Sequence, residues 1–201
     1  MIAYNQTYLT KDELVEKVKS SVSGFELNTI VSAYEMAEHI HEFQKRRDGT
    51  PYFWHLSRVA KIVIDELKLI DVDVICASLL HDVLEDSDII TPQVIEYNFG
   101  HHVAYIVETL TKNLRLMGGY RVEEERNYIQ RLINSSDECK IVKLAERLDN
   151  FRCLPFGVKK DMIEYINETV QFYFPMAEAS DNPSLKYLLQ SLKEESAKLS
   201  G

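Results

Sequence analysis

Apolar residues recur along most of the chain at the three-to-four-residue spacing of a helix with one buried face, and strand-like alternation is scarce. Only 7 Gly and 5 Pro interrupt this pattern, too few for a loop-rich chain, and no segment is repeated or low in complexity. Thr10, followed by Asp12 and Glu13, opens a first helix running to about 22. A second spans about 27–46, where Ile30, Tyr34, Ala37 and Ile40 keep helical spacing. Asp48-Gly49 and Pro51 then break the pattern as a turn. Helices follow over about 54–67 and 72–84. Thr91-Pro92 caps a short helix that ends near Gly100. Further helices cover about 101–111, 122–133, 138–154, 159–179 and 183–198, with a loop over 113–120 around Gly118-Gly119. The pattern predicts an all-α bundle of about nine or ten helices, with 1–201 forming one domain.

The fourth helix stands apart. Val72, Val74, Ile75, Ala77, Leu79 and Leu80 are apolar nearly all round, as in a helix surrounded by others. Yet its segment ASLLHDVLED (77–86) ends in His81, Asp82, Glu85 and Asp86. His81 and Glu85 are four apart, as are Asp82 and Asp86, so each pair shares a face and the two faces adjoin. Such groups resist burial unless a cation or an aqueous cleft receives them. A helix end that simply reaches solvent is the plainer alternative, but His-Asp directly after an apolar run suits a divalent metal.

Two other segments extend this chemistry. RRDGTPYFWH (46–55) places His55 just after the turn, and His55, His81 and Asp82 form a ligand set that lacks one carboxylate. In KLAERLDNFRCL (143–154), Lys143, Glu146, Arg147 and Asn150 share one stripe at helical spacing, with Asp149 on its flank. An ordinary solvated helix face is the other reading of that stripe.

Charge and cysteine content narrow the partners. The formal net charge is −9, which argues against nonspecific binding to nucleic acid or anionic membrane while leaving room for a local basic pocket. Three cysteines at long spacing, with no C-x-x-C, fit neither a disulfide framework nor a cysteine zinc site. The start of the chain lacks a basic region followed by an apolar stretch, and no apolar run approaches the roughly 20 residues of a membrane span. A soluble cytoplasmic protein is expected, with a homo-oligomer left open.

Taken together, these segments resemble the HD-domain (p)ppGpp hydrolases of the RelA/SpoT family, including the small single-domain members related to metazoan SpoT homologues. RRDGTPYFWH, ASLLHDVLED, FGHHVAYIVETLTK (99–112), KLAERLDNFRCL and ETVQFYFPMA (168–177) stand in family order and cover roughly 35–180. The resemblance implies one divalent ion, usually manganese, on His55, His81, Asp82 and Glu146. The family usually has Asp where Glu146 stands and His or Tyr where Asp149 stands, so Asp149 is an alternative fourth ligand. Leu56 is a lesser departure, at a position where the family often has Pro. A bound ion helps a water lose its proton near neutral pH.

The resemblance also assigns Glu85 and Asp86 to proton handling and orientation. It implies Arg46, Arg47, Tyr52 and Asn150 beside a guanine nucleotide alarmone cleaved at its 3′ ester. Lys112, Lys143 and Arg147 are weaker candidates for phosphate contact or structural pairing. The length leaves no room within the chain for a synthetase or regulatory domain, so a stand-alone hydrolase is expected. Two other functions remain: a phosphohydrolase of another nucleotide such as NADPH, and an inactive nucleotide sensor motivated by Glu146.

Overall fold

A computed structural model of the chain describes residues 2–113 and 117–200, which are helical with no strand beyond an isolated bridge between Lys45 and Pro51. The helices are α1 (Lys11–Val18), α2 (Gly24–Ile40), α3 (Tyr52–Lys61), α4 (Val72–Leu80), α5 (Val83–Asp86), α6 (Pro92–Phe99), α7 (His101–Leu110), α8 (Gly119–Ile133), α9 (Asp137–Cys153), α10 (Met162–Glu168), α11 (Phe174–Glu178) and α12 (Pro183–Ser200). Several starts are written in side chains. Thr10 and Glu13 form a reciprocal capping box, Asp71 accepts the Val74 N–H at 3.0 Å, and Thr91 caps α6 ahead of Pro92.

The all-round apolar helix is central, as its pattern predicts: Val74 through Leu80 are all buried, and α4 packs against α2, α3, α7 and α9. Outside this layer α12 lies along α9, tied in where Arg152 of α9 grips Glu66 through two bonds of 2.6 and 2.9 Å and Tyr187 of α12 donates to the same carboxylate.

Several boundaries differ from the sequence expectation. The first helix ends at Val18 rather than 22, and α2 ends at Ile40 rather than 46. After α2 the chain folds into a small hairpin: Arg46 N–H donates to Thr50 O and Tyr52 N–H to Gln44 O, both at 2.9 Å. Gly49 makes the tip, with φ +84°, a region open to glycine at little cost. Arg46 and Arg47 therefore ride on a hairpin and not on a helix end. The expected helix over 72–84 breaks at His81-Asp82, because Asp82 adopts φ −102°, ψ −4° and starts the separate turn α5.

The helix expected over 159–179 divides into α10, a π-helical turn at Thr169–Tyr173, and α11. Thr169 Oγ1 donates back to Tyr165 O at 2.8 Å while accepting from Arg147 at 2.6 Å, which loosens the helical ladder there. Of the loop expected over 113–120, residues 114–116 lie outside the described residues, and α8 begins already at Gly119.

Leu79, fully buried on α4, tests the centrality of this helix. Leu79→Ala leaves a cavity among four helices and lowers unfolding free energy by about 2–5 kcal/mol in a denaturant titration.

Candidate active site

The break after α4 gives two neighbouring residues a common target. In a continuous helix, His81 and Asp82 would point about 100° apart. Here His81 Nε2 and Asp82 Oδ2 face each other at 3.3 Å, without the geometry of a hydrogen bond. His81 Nδ1 lies 2.8 Å from the Ser78 carbonyl, which can only accept, so Nδ1 carries the proton and Nε2 is turned to the cleft.

From α3, His55 meets His81 edge to face with ring centroids 5.4 Å apart. Its Nδ1 lies 2.6 Å from Asp149 Oδ2. One turn earlier, Tyr52 donates its hydroxyl to Asp82 Oδ2 at 2.7 Å. Among the described residues, His55, His81 and Asp82 are the His/Cys/Asp/Glu group that brings ligand atoms within 4.8 Å of one another.

The stripe on α9 faces inward, not to solvent. Glu146, Arg147, Asp149 and Asn150 are all buried, and Lys143 is largely covered. Glu146 stands outside the tight trio but lines the same cleft as His55. Lys143 Nζ lies 2.9 Å from its Oε2, off hydrogen-bond geometry, and Oε1 accepts from Asn150. Asp149 is differently placed. Tyr4 OH and Arg58 Nε donate to its Oδ1 at 3.0 and 2.6 Å, while Oδ2 receives His55, Arg58 Nη2 at 3.2 Å and Arg46 at 3.4 Å.

These donors fit a divalent ion. His81 Nε2 is buried with no hydrogen-bond partner beside the Asp82 carboxylate, an arrangement that costs free energy unless something positive joins it; Glu146 Oε2 also lacks a hydrogen bond, although Lys143 Nζ stands 2.9 Å away. Burial alone would lower the His81 pKa, but Asp82 and Glu146 outweigh it and hold the imidazole up to about 8. The metal-free site thus already attracts a proton. Burial, with Arg46 adding to it, pushes His55 down to about 4, so this imidazole is neutral at physiological pH. Glu146 stays ionised despite burial, because Lys143, Lys159 and Arg147 hold it well below the usual carboxylate range.

Glu85 and Asp86 follow on α5. Burial, followed by the Asp82 charge, pushes the Glu85 carboxyl up to about 7, while the Lys112 backbone N–H donates to its Oε1 at 2.6 Å. Burial and Asp82 raise Asp86 as well, and its Oδ2 lies 3.7 Å from buried His41, whose ring stacks on Tyr52 at 5.1 Å.

The cleft beside the trio has a volume of about 210 Å³ and a rim of Lys45, Arg46, Arg47 and Lys159, a local excess of cations on an acidic chain. Two larger grooves of about 1010 and 1190 Å³ flank the site, meeting it at Glu85 and Lys159 respectively. The nucleotide-contact candidates are unevenly available. Arg47 is exposed, whereas the Arg46 side chain is 5% exposed and bonded to Asp149 and Asn150. Asn150 is fully engaged by Arg46, Glu146 and the Tyr165 hydroxyl at 3.1 Å.

Of the weaker candidates, Arg147 is a brace: buried, paired with Glu168 and Thr169, and stacked on Tyr173. Lys112 and Lys143 both lie over the Tyr128 ring, Lys143 also holding Glu146. Sequence reasoning did not single out Arg58, Tyr4, His41, Lys45 or Lys159. Arg58 carried a signal, since it sits three residues after His55 and so on the same side of α3. Tyr4 carried none, because its partner is 145 residues away.

A family model described as the HD domain matches residues 33–181. The mouse (Mus musculus) guanosine-3′,5′-bis(diphosphate) 3′-pyrophosphohydrolase MESH1 is 34% identical over 179 residues, covering 86% of this chain and 97% of that protein. The guanosine-3′,5′-bis(diphosphate) 3′-pyrophosphohydrolase of Aquifex aeolicus is 36% identical over 150 residues; the match takes in 74% of this chain and 21% of that longer one. A solved structure of a metazoan SpoT orthologue, which hydrolyses ppGpp and plays a role in starvation responses, superposes with a TM-score of 0.68 and 27% identity. The superposition covers 83% of this chain and 94% of that structure.

The raised Glu85 pKa has a consequence for stability. Between the ordinary carboxylate range and about 7, the folded protein holds a proton the unfolded chain has lost, so stability falls as pH rises through that window. Glu85→Gln removes this loss. Denaturant unfolding of the metal-free protein then finds the variant more stable than the parent by about 1–3 kcal/mol at pH 8, and nearly equal to it at pH 4.

Proposed function

The chain belongs to the HD-domain family, and from that membership and the geometry of the cleft we propose that it is a metal-dependent hydrolase of guanosine 3′,5′-bis(diphosphate) that releases pyrophosphate from the 3′ position. The observation that carries this reading is the convergence of His55, His81 and Asp82 on one point beneath a rim of cations. Nε2 of each histidine, the Asp82 carboxylate and Glu146 would hold the ion. Asp149, with both oxygens engaged, stands behind His55 and leaves the fourth position to Glu146. A donor set of imidazole and carboxylate without thiolate suits manganese. When bound, the ion supplies a Lewis acid toward phosphoryl oxygen and water.

The chain's own residues supply the rest. Arg47, Lys45 and Lys159 receive the phosphates, with Arg46 and Asn150 forming the wall behind them. Tyr52 fixes Asp82. A water oxygen adds to the phosphorus on ribose O3′, the P–O3′ bond breaks, and the water proton passes to Glu85, with O3′ taking up a proton as it leaves. With a pKa near 7, Glu85 can accept and release that proton at neutral pH. Asp86, held near His41, orients it.

Residues 1–201 act in this reading as one HD unit. Cytoplasmic residence fits the free buried thiols of Cys76, Cys139 and Cys153, and the net charge of −9 fits a nucleotide rather than nucleic acid as ligand. No helix among the described residues is long and apolar enough to cross a membrane.

Purified protein given ppGpp and Mn²⁺ is expected to yield GDP and pyrophosphate; no turnover with any of several divalent ions overturns the proposal. In a nucleotide panel, a kcat/KM for NADPH tenfold or more above that for ppGpp would reassign the substrate. Asp82→Ala loses both ion binding and turnover. Glu85→Gln keeps the ion, and its kcat falls by roughly 10²–10⁴-fold.

A further inference from the structure

His55 is the one member of the trio whose orientation depends on another charged side chain. His81 is set by a carbonyl of its own helix, and Asp82 by a phenol one turn before His55. His55 Nδ1 instead abuts Asp149, a fully buried carboxylate on α9, at 2.6 Å. That carboxylate is itself immobilised. Arg58, 1% exposed and one turn beyond His55 on α3, reaches it with Nε at 2.6 Å and Nη2 at 3.2 Å. The remaining Nη1 of Arg58 donates to the carbonyls of Asn5 and Thr7 at 3.3 and 2.8 Å, and Tyr4 donates its hydroxyl to Asp149 Oδ1 at 3.0 Å. The two oxygens are divided: Oδ1 takes Tyr4 and the shortest Arg58 contact, and Oδ2 takes His55.

We infer that Asp149, clamped by Arg58 and Tyr4, is a positioning residue that fixes His55 with its proton on Nδ1 and its Nε2 lone pair toward the ion. This rests on the proposed metal site. A carboxylate can only accept, so its presence at Nδ1 decides which nitrogen keeps the proton. It also locks the ring plane and makes Nε2 a stronger donor. A simple structural ion pair between Arg58 and Asp149 would be complete without the imidazole. An asparagine at 149 could turn its NH₂ toward Nδ1, which favours the opposite tautomer and puts a hydrogen where the ion belongs. The N-terminal turn, remote in sequence, thereby becomes part of the support of the site.

Two measurements test this on the full chain. Imidazole ¹H–¹⁵N spectra of the metal-free protein, with His55 assigned by its loss in His55→Gln, report the tautomer directly. The parent is expected to show Nδ1–H at His55, and Asp149→Asn to lose it in whole or large part. Calorimetric titration with Mn²⁺ is expected to show affinity weakened 10–100-fold in Asp149→Asn. Arg58→Gln/Asp149→Asn, which removes the Arg58 and Asp149 charges together and so does not leave Arg58 buried without its carboxylate, should show the same two changes, with helical content confirmed by circular dichroism. A folded variant with parental tautomer and parental affinity overturns the inference. A parent that shows Nδ1–H at His55 but binds no divalent ion overturns the metal-site reading instead, leaving the orientation of His55 established.

Discussion

Charge buried inside a helical bundle must be compensated locally, and the arrangement of this protein follows from how that is done around α9. Carboxylates and cations there are covered from water, where an unpaired charge would cost several kcal/mol. Lys143 stands against Glu146, Arg147 against Glu168, and Arg58 against Asp149. The last two matches fix α9 to the end of α10 and to α3, and beside them His55, His81 and Asp82 converge, with His81 Nε2 buried and unpartnered. The candidate site is thus set directly against the paired charges of α9.

The same logic explains why the basic rim can coexist with an acidic chain. Long-range attraction for polyanions depends on extended surface potential, which a net charge of −9 suppresses. Short-range recognition depends on the few groups lining a cleft of low dielectric. Arg46 shows this. It is held by Asp149 and Asn150 at the base of the rim, so its charge is presented from a fixed position and not from a freely rotating side chain.

Much of the fold was legible in sequence because it depends on local rules. The capped starts of α1 and α6 and the all-round apolar character of α4 are all present in short windows. Helix ends were less legible where side chains from elsewhere intervene, as at Thr169, whose ladder is loosened by Arg147. The site divides in the same way. His81-Asp82 after an apolar run and His55 after a turn announce themselves. The stripe on α9 was visible as a stripe, but periodicity cannot say whether a polar face meets solvent or a polar interior. Asp149 was seen as a ligand alternative and not as a support, because its partners lie 91 and 145 residues away.

The hydroxyl of Tyr4 on Asp149 has a further consequence for how the molecule is made. The trio itself comes from residues 55–82, an early and fairly local stretch of chain. Its supports come from either side of that stretch: Tyr4 precedes it, and Asp149 is synthesised 145 residues after Tyr4. Contacts of such separation form late, because the loop they close must be ordered before they contribute. A nascent chain can therefore carry His55, His81 and Asp82 long before it can orient them. Competent assembly waits on the docking of α9, which makes the site a report on completed folding as much as a product of it.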